Sequence, residues 1–364
     1  MGNPYELWTP RKSLGMFRDT KPEEWYFGQY FTAQMRSTDE YIDFEKLPIR
    51  SRKLAPFVKP LGRGHGVFSD EQRGYRFKPA NVVVEDPVDP LRPLTFQPGI
   101  GESRFQQRKL TPMQRLELIK AQMLLEFQLA VERRWEWMKA KAIIDGKVTC
   151  TYKDGSEVLV DFRRDAGHTE TLTAGNRFGD SGVSILDKVK AIIDTMTSAE
   201  FGGVPDRITI GTDVAPVWQA DEEIMSHMDI NLKGGVHSVD RGILPGSAME
   251  KVYKLGELAI AGGSGRTIEI WVNGEDFQTD TGVATRYLGA KDMVVTARPS
   301  AIMGYECFGM IVDPDAEYEA LPMFPKNYTM QDGRVKVEHV SIESAPLFVP
   351  INPNATYKVA SAVA

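Results

Sequence analysis

One long helix is the feature of the sequence that most constrains the fold. Thr111 and Gln114 have the spacing of a capping box, a proline follows the threonine, and Asp145 precedes a glycine at the other end. Between these signals, apolar residues recur at intervals of three or four. They are Leu116, Ile119, Met123, Phe127, Val131, Trp135, Met138 and Ala142. A helix of this length extends over roughly 50 Å. The spacing favours packing against a sheet over a coiled-coil seam.

The segment before this helix is rich in proline and in aromatic residues. Residues 1–110 contain 11 of the 22 prolines, and residues 1–50 contain ten of the 35 aromatic residues. The prolines exclude long helices and central strands from most of this segment. Because a disordered tail is poor in aromatic side chains, we expect an extended arm whose rings pack on another surface. The alternative is an arm that folds back on its own core.

A basic stretch follows the arm. Residues 50–80 contain eight lysine or arginine residues and two acidic residues, which is a local charge of +6. Segments 54–61 and 74–78 have the composition of strands and flank a glycine-rich tip, so we predict a long basic hairpin loop. Two interpretations stay open. The loop reaches an acidic surface of a neighbouring subunit, or it is a solvated loop of its own subunit.

The chain after the long helix predicts a hairpin, a mixed α/β unit and returning strands. The hairpin alternates over 148–152 and 158–162 around an Asp-Gly turn. The α/β unit consists of a helix over 184–200, a helix starting at 212 or 213, and strands at 207–211, 267–272, 284–288 and 293–297. We expect the last strands, over 335–342 and 347–363, to pair with the hairpin.

Composition excludes several classes of protein. A formal charge of -6 over 364 residues does not make the chain a general polycation for gripping nucleic acid. The sequence contains no apolar run long enough for a membrane span, and its start lacks the pattern of a secretory signal. The two cysteines, Cys150 and Cys307, cannot form a disulfide framework, so free thiols in a reducing cytosol are expected.

No motif of catalytic or cofactor chemistry stands out. Asp313, Asp315 and Glu317 are spaced like the start of a calcium loop, but the required glycine and closing glutamate are missing, so a solvated acidic turn is expected. The glycine-rich segment 261–266 lacks the residues of a phosphate loop or a dinucleotide fingerprint. We therefore predict that the protein is not an enzyme and has no catalytic, metal-binding or cofactor-binding residues. A metal-dependent enzyme that uses these three carboxylates and His339 is the remote alternative.

The order of these parts, together with two short motifs, resembles a known family. The motifs are Phe324-Pro325-Lys326-Asn327-Tyr328 and Glu343-Ser344-Ala345-Pro346-Leu347. The helical segment 113–147 and the stretch 55–81 are also similar in order and character. Together they resemble the major capsid proteins of tailed bacteriophages, which have the Hong Kong 97-type fold, and more closely the lambda-type branch of that family. The resemblance covers almost the whole chain.

The resemblance implies an α+β fold of the Hong Kong 97-like phage capsid type. Its parts are an extended N-arm, an E-loop hairpin, a P-domain with a long spine helix and a β-sheet, and an α/β A-domain. The implied boundaries are 1–49 for the N-arm, 50–82 for the E-loop, 83–165 for the P-domain, 166–330 for the A-domain, and 331–364 for C-terminal strands that return to the P-domain.

The resemblance also implies a structural role. The subunit is expected to self-assemble into the icosahedral head shell that encloses double-stranded DNA without binding it specifically. The expected partners are other copies in hexamers and pentamers, a separate scaffolding protein, a portal and a small cementing or decoration protein. Contacts to other subunits are expected from the E-loop residues Lys59, Arg63, Arg73 and Arg76. Contacts to other subunits or to a cementing protein are expected from the N-arm residues Trp8, Trp25 and Tyr26.

Location and alternatives follow from the same interpretation. The protein is expected in the virion, after assembly in the cytoplasm of the host bacterium. An encapsulin-like compartment shell, which has the same fold, is the alternative function. Deletion of residues 1–49 is expected to leave a soluble folded core that forms no shells.

Overall fold

The structure is built from a long helix, a seven-stranded sheet and several smaller sheets. The computed structural model describes residues 25–46, 73–89, 111–229, 251–259, 267–279, 282–332 and 335–364. The helices are α1 (Pro112–Ile144), α2 (Ile185–Ser198), α3 (Val214–Ala220), α4 (Glu222–His227) and α5 (Pro299–Ile302). No helix in these ranges is both long and apolar enough to span a membrane.

Nineteen strands lie within the described residues. They are β1 (Phe31–Arg36), β2 (Ile42–Lys46), β3 (Arg73–Phe77), β4 (Val82–Val88), β5 (Lys147–Thr151), β6 (Glu157–Asp161), β7 (Thr169–Thr171), β8 (Pro205–Ile210), β9 (Met228–Asp229), β10 (Val252–Ala259), β11 (Thr267–Asn273), β12 (Asp276–Gln278), β13 (Ala284–Arg286), β14 (Met293–Ala297), β15 (Gly304–Phe308), β16 (Phe324–Asp332), β17 (Val335–Ser344), β18 (Pro346–Pro350) and β19 (Thr356–Ala360).

The long helix forms as its end signals predict. The Thr111 hydroxyl accepts a hydrogen bond from the Gln114 N–H at 3.3 Å, and the Gln114 side chain accepts one from the Thr111 N–H at 2.9 Å. These two bonds satisfy amide groups that have no partner within the helix. Most of the predicted apolar stripe is buried, while Leu116 and Trp135 are partly buried. The stripe packs on strands, as predicted, through contacts with β17, β18, β4 and β5.

The seven-stranded sheet is the centre of the α/β unit. Its strand order is β7-β19-β14-β8-β11-β10-β9. β8 and β11 are parallel, whereas β14 is antiparallel to β8 and to β19. Helix α2 begins at Ser184, whose hydroxyl accepts the Asp187 N–H at 3.2 Å. Because its apolar stripe from Ile185 to Met196 is buried, α2 packs as the sequence predicts. β10 and β15 form where the sequence analysis predicted no element.

A three-stranded sheet covers the first half of α1. Its order is β16-β17-β4, and every pair is antiparallel. The inner side chains of this sheet and the helix form a separate apolar cluster. Its buried members are Val88, Ile119, Met123, Leu124, Phe127, Val131, Val340 and Ile342. This cluster stabilises the first half of α1, since most helical stability comes from packing of an apolar face.

The partners of the C-terminal strands differ from the prediction. β17 pairs with β16 and β4, β18 pairs with β15, and β19 pairs with β14 and β7. The predicted pairing with the hairpin β5–β6 is therefore wrong. Alternation of apolar residues shows that a segment is a strand, but it carries no information about which edge the strand joins. β4 lies in the predicted P-domain, whereas β14 and β7 lie in the predicted A-domain; the boundaries themselves stay a prediction.

The predicted basic hairpin also has a different partner strand. Its return strand forms as β3, and β3 pairs with β2 in antiparallel register, with Phe77 opposite Ile42. The segment 54–61, which was expected to be the partner, lies outside the described residues. The predicted hairpin at β5–β6 is confirmed, with a tight turn at Asp154 and Gly155.

Candidate intersubunit surfaces

The last part of the predicted N-arm is anchored in the core of its own chain. We call residues 26–31 the arm root. Tyr26, Phe27, Tyr30 and Phe31 are buried, with exposed fractions of 1%, 1%, 2% and 5%. The arm root belongs to the same apolar cluster as the central sheet. For this segment the alternative interpretation, an arm that folds back on its own core, is correct.

Two tyrosine hydroxyls attach the arm root to the central sheet. The Tyr26 hydroxyl lies 2.7 Å from the Thr209 hydroxyl of β8, and the Tyr30 hydroxyl lies 2.8 Å from the Thr296 hydroxyl of β14. Burial raises the pKa of Tyr26 well above its usual value, and the neighbouring Tyr30 adds to the effect. Both hydroxyls therefore remain neutral, and each buried polar group has a partner, as a stable core requires.

Arg207 and the Trp271 ring complete the surroundings of the Tyr26 ring. The Arg207 guanidinium lies 5.0 Å from the Trp271 ring centre and 6.0 Å from the Tyr26 ring centre. One of its nitrogens donates to Glu269 at 3.0 Å, and another donates to Gln29 of the arm root. The ion pair with Glu269 and the contacts with the Trp271 and Tyr26 rings thus fix the position of the Arg207 guanidinium beside these rings.

The arm root also binds the long helix. The Phe27 N–H donates to Glu136 Oε1 of α1 at 2.6 Å. Glu136 is 1% exposed, and burial raises the pKa of its carboxyl group to about 7, although the Phe27 N–H opposes this shift. Sequence analysis treated this part of α1 only as an apolar stripe. A buried glutamate on a helix has no local signal, because its burial depends on what packs over it.

The base of the basic hairpin is anchored as well. We call β2 and β3 the loop base. Ile42 is 1% exposed, and the Phe77 ring contacts the Phe162 ring edge to face at 5.6 Å between centres. On the outer side, the Arg76 guanidinium lies 5.7 Å from the centre of the Tyr41 ring. The loop base, which precedes and follows residues 47–72 in the chain, is therefore attached to the body of the subunit.

The residues predicted for intersubunit contact fall into three groups. Arg76 is exposed on the loop base, and Arg73 lies in β3 opposite Lys46. Trp8, Lys59 and Arg63 lie outside the described residues. In the arm, Trp25 is half-buried and Tyr26 is buried. Within its own subunit the Tyr26 ring is covered and its hydroxyl is bound, while its predicted contact with another subunit or a cementing protein stays a prediction.

The residues of the remote metal alternative do not converge. The Lys326 ammonium lies 2.7 Å from a carboxylate oxygen of Asp313 and 2.7 Å from one of Asp315. His339 instead bonds to Glu85 at 2.9 Å. A lysine between the two aspartates replaces the positive charge that a metal would supply. In the described ranges, no group of three or more His, Cys, Asp or Glu residues is arranged to hold a metal.

Comparison with known protein families matches residues 19–361 to the family described as phage major capsid protein E. The chain belongs to the phage major capsid protein E family. The match covers both anchored segments, the long helix and all sheets. It confirms the family recognised from the sequence, and with it the Hong Kong 97-like capsid fold.

A solved structure of a prophage capsid protein has the same fold. The phage capsid protein superposes on a crystal structure from Escherichia coli CFT073, assigned as the capsid protein of a prophage, with a TM-score of 0.70, 15% identity, and coverage of 97% of this chain and 99% of that one. A phage-related protein from Bordetella bronchiseptica RB50 matches with a TM-score of 0.46, 13% identity and 98% coverage of both chains. Comparison with curated proteins finds no match.

The major capsid protein is a structural subunit of the phage head shell and a component of the virion. Its family indicates a structural role in place of an enzymatic one. The described geometry adds which parts of the subunit are fixed to its own body: the arm root and the loop base.

Proposed function

We propose that copies of this capsid protein assemble into hexamers and pentamers of an icosahedral shell through contacts made by residues 1–24 and 47–72. Assembly takes place in the host cytoplasm, and the shell encloses double-stranded DNA without binding it specifically. This role is structural and requires no catalytic residue. The observation that supports the proposal is that both segments adjoin parts of the chain that are buried in the subunit's own core.

The arm root supports the first half of the proposal. Burial of one large apolar side chain contributes about 1.5–3 kcal/mol. The four buried aromatic residues of the arm root therefore hold this segment on its own subunit. Contacts to other copies then fall to the residues before Trp25, which include Trp8. Weak contacts from such a segment act together in a closed shell, because each subunit binds several neighbours at once.

The loop base supports the second half. Residues 47–72 contain five basic and two acidic residues, a charge of +3. The loop base holds both ends of this segment against the body of the subunit, which reduces the entropy lost when the loop binds a neighbour. Contacts from its basic residues, Lys59 and Arg63 among them, depend on salt because exposed charges are screened.

Further partners belong to the same proposal. A separate scaffolding protein, a portal and a small cementing or decoration protein are proposed to act with this subunit. Trp8 is the N-arm anchor proposed for a neighbouring subunit or a cementing protein, and Trp25 is the half-buried residue at the edge of the arm root. Aromatic residues suit this task because they combine large contact area with little loss of conformational entropy.

Deletion of residues 1–24 tests the role of the arm. Deletion of residues 1–49 would not test this role by itself, because it also removes the arm root and strands β1 and β2 from the folded body. The shorter deletion should leave the melting temperature within a few degrees of the full chain and should abolish shells in negative-stain microscopy. A control chain in which residues 1–24 are replaced by a glycine-serine segment of equal length should also form no shells. Normal shells from either chain contradict the proposal.

Charge reversal tests the role of the loop. The double variant Lys59→Glu/Arg63→Glu should assemble less than the full chain, with the largest deficit at low salt. The matched control Lys147→Glu/Lys153→Glu makes the same change of charge at two exposed positions near the hairpin β5–β6. Sedimentation of assembled particles measures both variants. Equal assembly of the two variants contradicts a specific role of the loop.

A further inference from the structure

One carboxyl group, that of Glu136, is buried beneath the arm root, and a second buried carboxyl group interacts with it electrostatically. Glu136 of α1 is 1% exposed, and Glu275, in the turn between β11 and β12, is 5% exposed. Glu136 Oε2 and both carboxylate oxygens of Glu275 have no hydrogen-bond partner among the described residues. Buried acidic oxygens without a partner are unfavourable when charged, and the cost increases when two such groups interact with each other.

The arm root covers Glu136. Phe27 donates its N–H to Glu136 Oε1 at 2.6 Å. Gly28 lies directly over the second oxygen, since a methyl group at its Cα would lie 4.0 Å from Glu136 Oε2. Release of residues 27 and 28 would therefore expose Glu136 to water. When the arm root docks on the body of the subunit, it removes Glu136 from contact with water.

The charged groups around the pair do not neutralise it. On α1, Lys139 is engaged in an ion pair with Glu306 of β15 at 2.5 Å. Through space, Lys139 lowers the pKa of Glu136 while Glu306 raises it, and Asp276 on β12 raises the pKa of Glu275. Arg133 and Arg134 on α1 act instead on Tyr287, which follows β13. Beyond the arm root, Arg207 is paired with Glu269. Within the described residues, no ammonium or guanidinium group forms a salt bridge with Glu136 or Glu275.

We propose that Glu136 is a proton-binding group that couples docking of the arm root to pH, that the charge of Glu275 adds to this coupling, and that the arm root is held most firmly when a proton is bound. A proton on either carboxyl group removes the repulsion between two buried charges. It leaves one oxygen of Glu136 available to accept the Phe27 N–H, so the hydrogen bond to the arm root persists. This pH-dependent docking goes beyond the proposed role of residues 1–24 in assembly. It determines how firmly the arm root, to which residues 1–24 are joined, is held on the subunit.

The direction of the pH dependence follows from linkage. Burial, and then the charge of Glu136, raises the pKa of Glu275 to about 8, while burial raises the pKa of Glu136 to about 7. A water-exposed glutamate has a pKa of about 4.3. Docking therefore takes up protons at neutral pH. The stabilisation is complete below about pH 4.3 and is lost as pH rises through the values of the docked pair.

Hydrogen exchange of the full-length chain tests the proposal. The readout is the protection factor of the peptide covering residues 25–31, measured by mass spectrometry at pH values from 6 to 8 and corrected for the intrinsic exchange rate. We expect protection to fall roughly tenfold or more across this range, because uptake of one proton changes an equilibrium by at most about tenfold per pH unit. Protection that stays constant across the range overturns the proposal.

Two variants and a control assign the effect to the pair. Glu136→Gln keeps an acceptor for the Phe27 N–H and removes the charge, so its protection should be independent of pH. Glu275→Gln removes the second buried charge and should move the fall in protection to a lower pH. The control Glu117→Gln changes an exposed glutamate of the same helix and should retain the full slope. The proposal is wrong if Glu136→Gln retains the slope, or if Glu275→Gln leaves it unmoved.

Discussion

The hydroxyl oxygen of Tyr26 lies 2.7 Å from the hydroxyl oxygen of Thr209, although 183 positions separate the two residues. Thr209 lies in β8, near the middle of the seven-stranded sheet, and is 1% exposed. This contact makes the arm root part of the core. It also divides the N-arm into a segment that stabilises its own subunit and a segment, residues 1–24, that is proposed to serve its neighbours.

Tyr26→Phe should lower the free energy of unfolding by about 1–2 kcal/mol, because it leaves the buried Thr209 hydroxyl without its partner. The double variant Tyr26→Phe/Thr209→Val removes both polar groups and should recover part of the loss. Urea unfolding of the two variants and of the full chain gives the three values. A single variant as stable as the unaltered chain would show that the hydrogen bond contributes nothing.

Gly304→Ala should loosen the arm root. Gly304 begins β15, pairs with Phe31, and approaches the arm so closely that a Cβ atom would collide with the backbone oxygen of Tyr30. The nearest atom is a backbone oxygen, which cannot move aside as a flexible side chain can, so a cost of about 1–3 kcal/mol is expected. Limited proteolysis within residues 25–31 should become faster. The control is Gly167→Ala, where no atom lies within 4 Å of the added Cβ; faster cleavage there too would point to a non-specific effect.

Lys120→Met should destabilise the sheet that covers α1. Lys120 is 5% exposed, and its ammonium lies 2.5 Å from Glu338 Oε2 of β17. Removal of one partner leaves a largely buried carboxylate uncompensated, which costs about 3–5 kcal/mol. The double variant Lys120→Met/Glu338→Leu should be considerably more stable than the single variant. Thermal unfolding compares them, and a double variant no more stable than Lys120→Met would refute the pairing argument.

Asp145→Asn should remove a part of the acid dependence of stability. Asp145 follows α1 and lies 2.7 Å from Lys358 and 3.1 Å from Lys141. Burial by itself would raise the pKa of Asp145, but the two ammonium groups, Lys358 first, hold it below its usual value. Its stabilisation is therefore present above an unfolded pKa of about 3.9 and is lost as pH falls through the lower folded value.

The Asp145→Asn variant should lose about 2 kcal/mol of unfolding free energy at pH 7, the contribution of hydrogen bonds to a charged group. Below pH 4 its stability should approach that of the unaltered chain. Urea unfolding at both pH values measures the difference, and Lys358→Met should behave in the same way. A deficit that is equal at both pH values would contradict the ion-pair explanation.

The sequence allowed accurate prediction of elements whose signals are local. The capping box at Thr111 and Gln114 formed as expected, and helix α2 formed within the predicted range 184–200. The turn pair Asp154-Gly155 closed its hairpin. Each of these signals acts between residues a few positions apart, so the information is complete within the segment itself.

The candidate surfaces could be predicted only in part. Richness in aromatic residues indicated that the arm packs on a surface, but Tyr26 and Trp8 carry the same local signal. Only packing shows that the Tyr26 ring is covered by its own chain. The basic charge of residues 50–80 indicated a loop, while the partner of β3 depended on which segment lies beside it in the folded chain.

The sequence by itself determined the family through its motifs and the order of its parts, and it determined the long helix and the hairpin β5–β6, because periodicity, caps and turn residues act over short distances. Only the tertiary structure decided that β17 joins β4, that Tyr26 meets Thr209, and that Glu136 is buried beneath the arm root. Each of these depends on residues far apart in the chain, and burial is a property of what covers a side chain and not of the side chain itself.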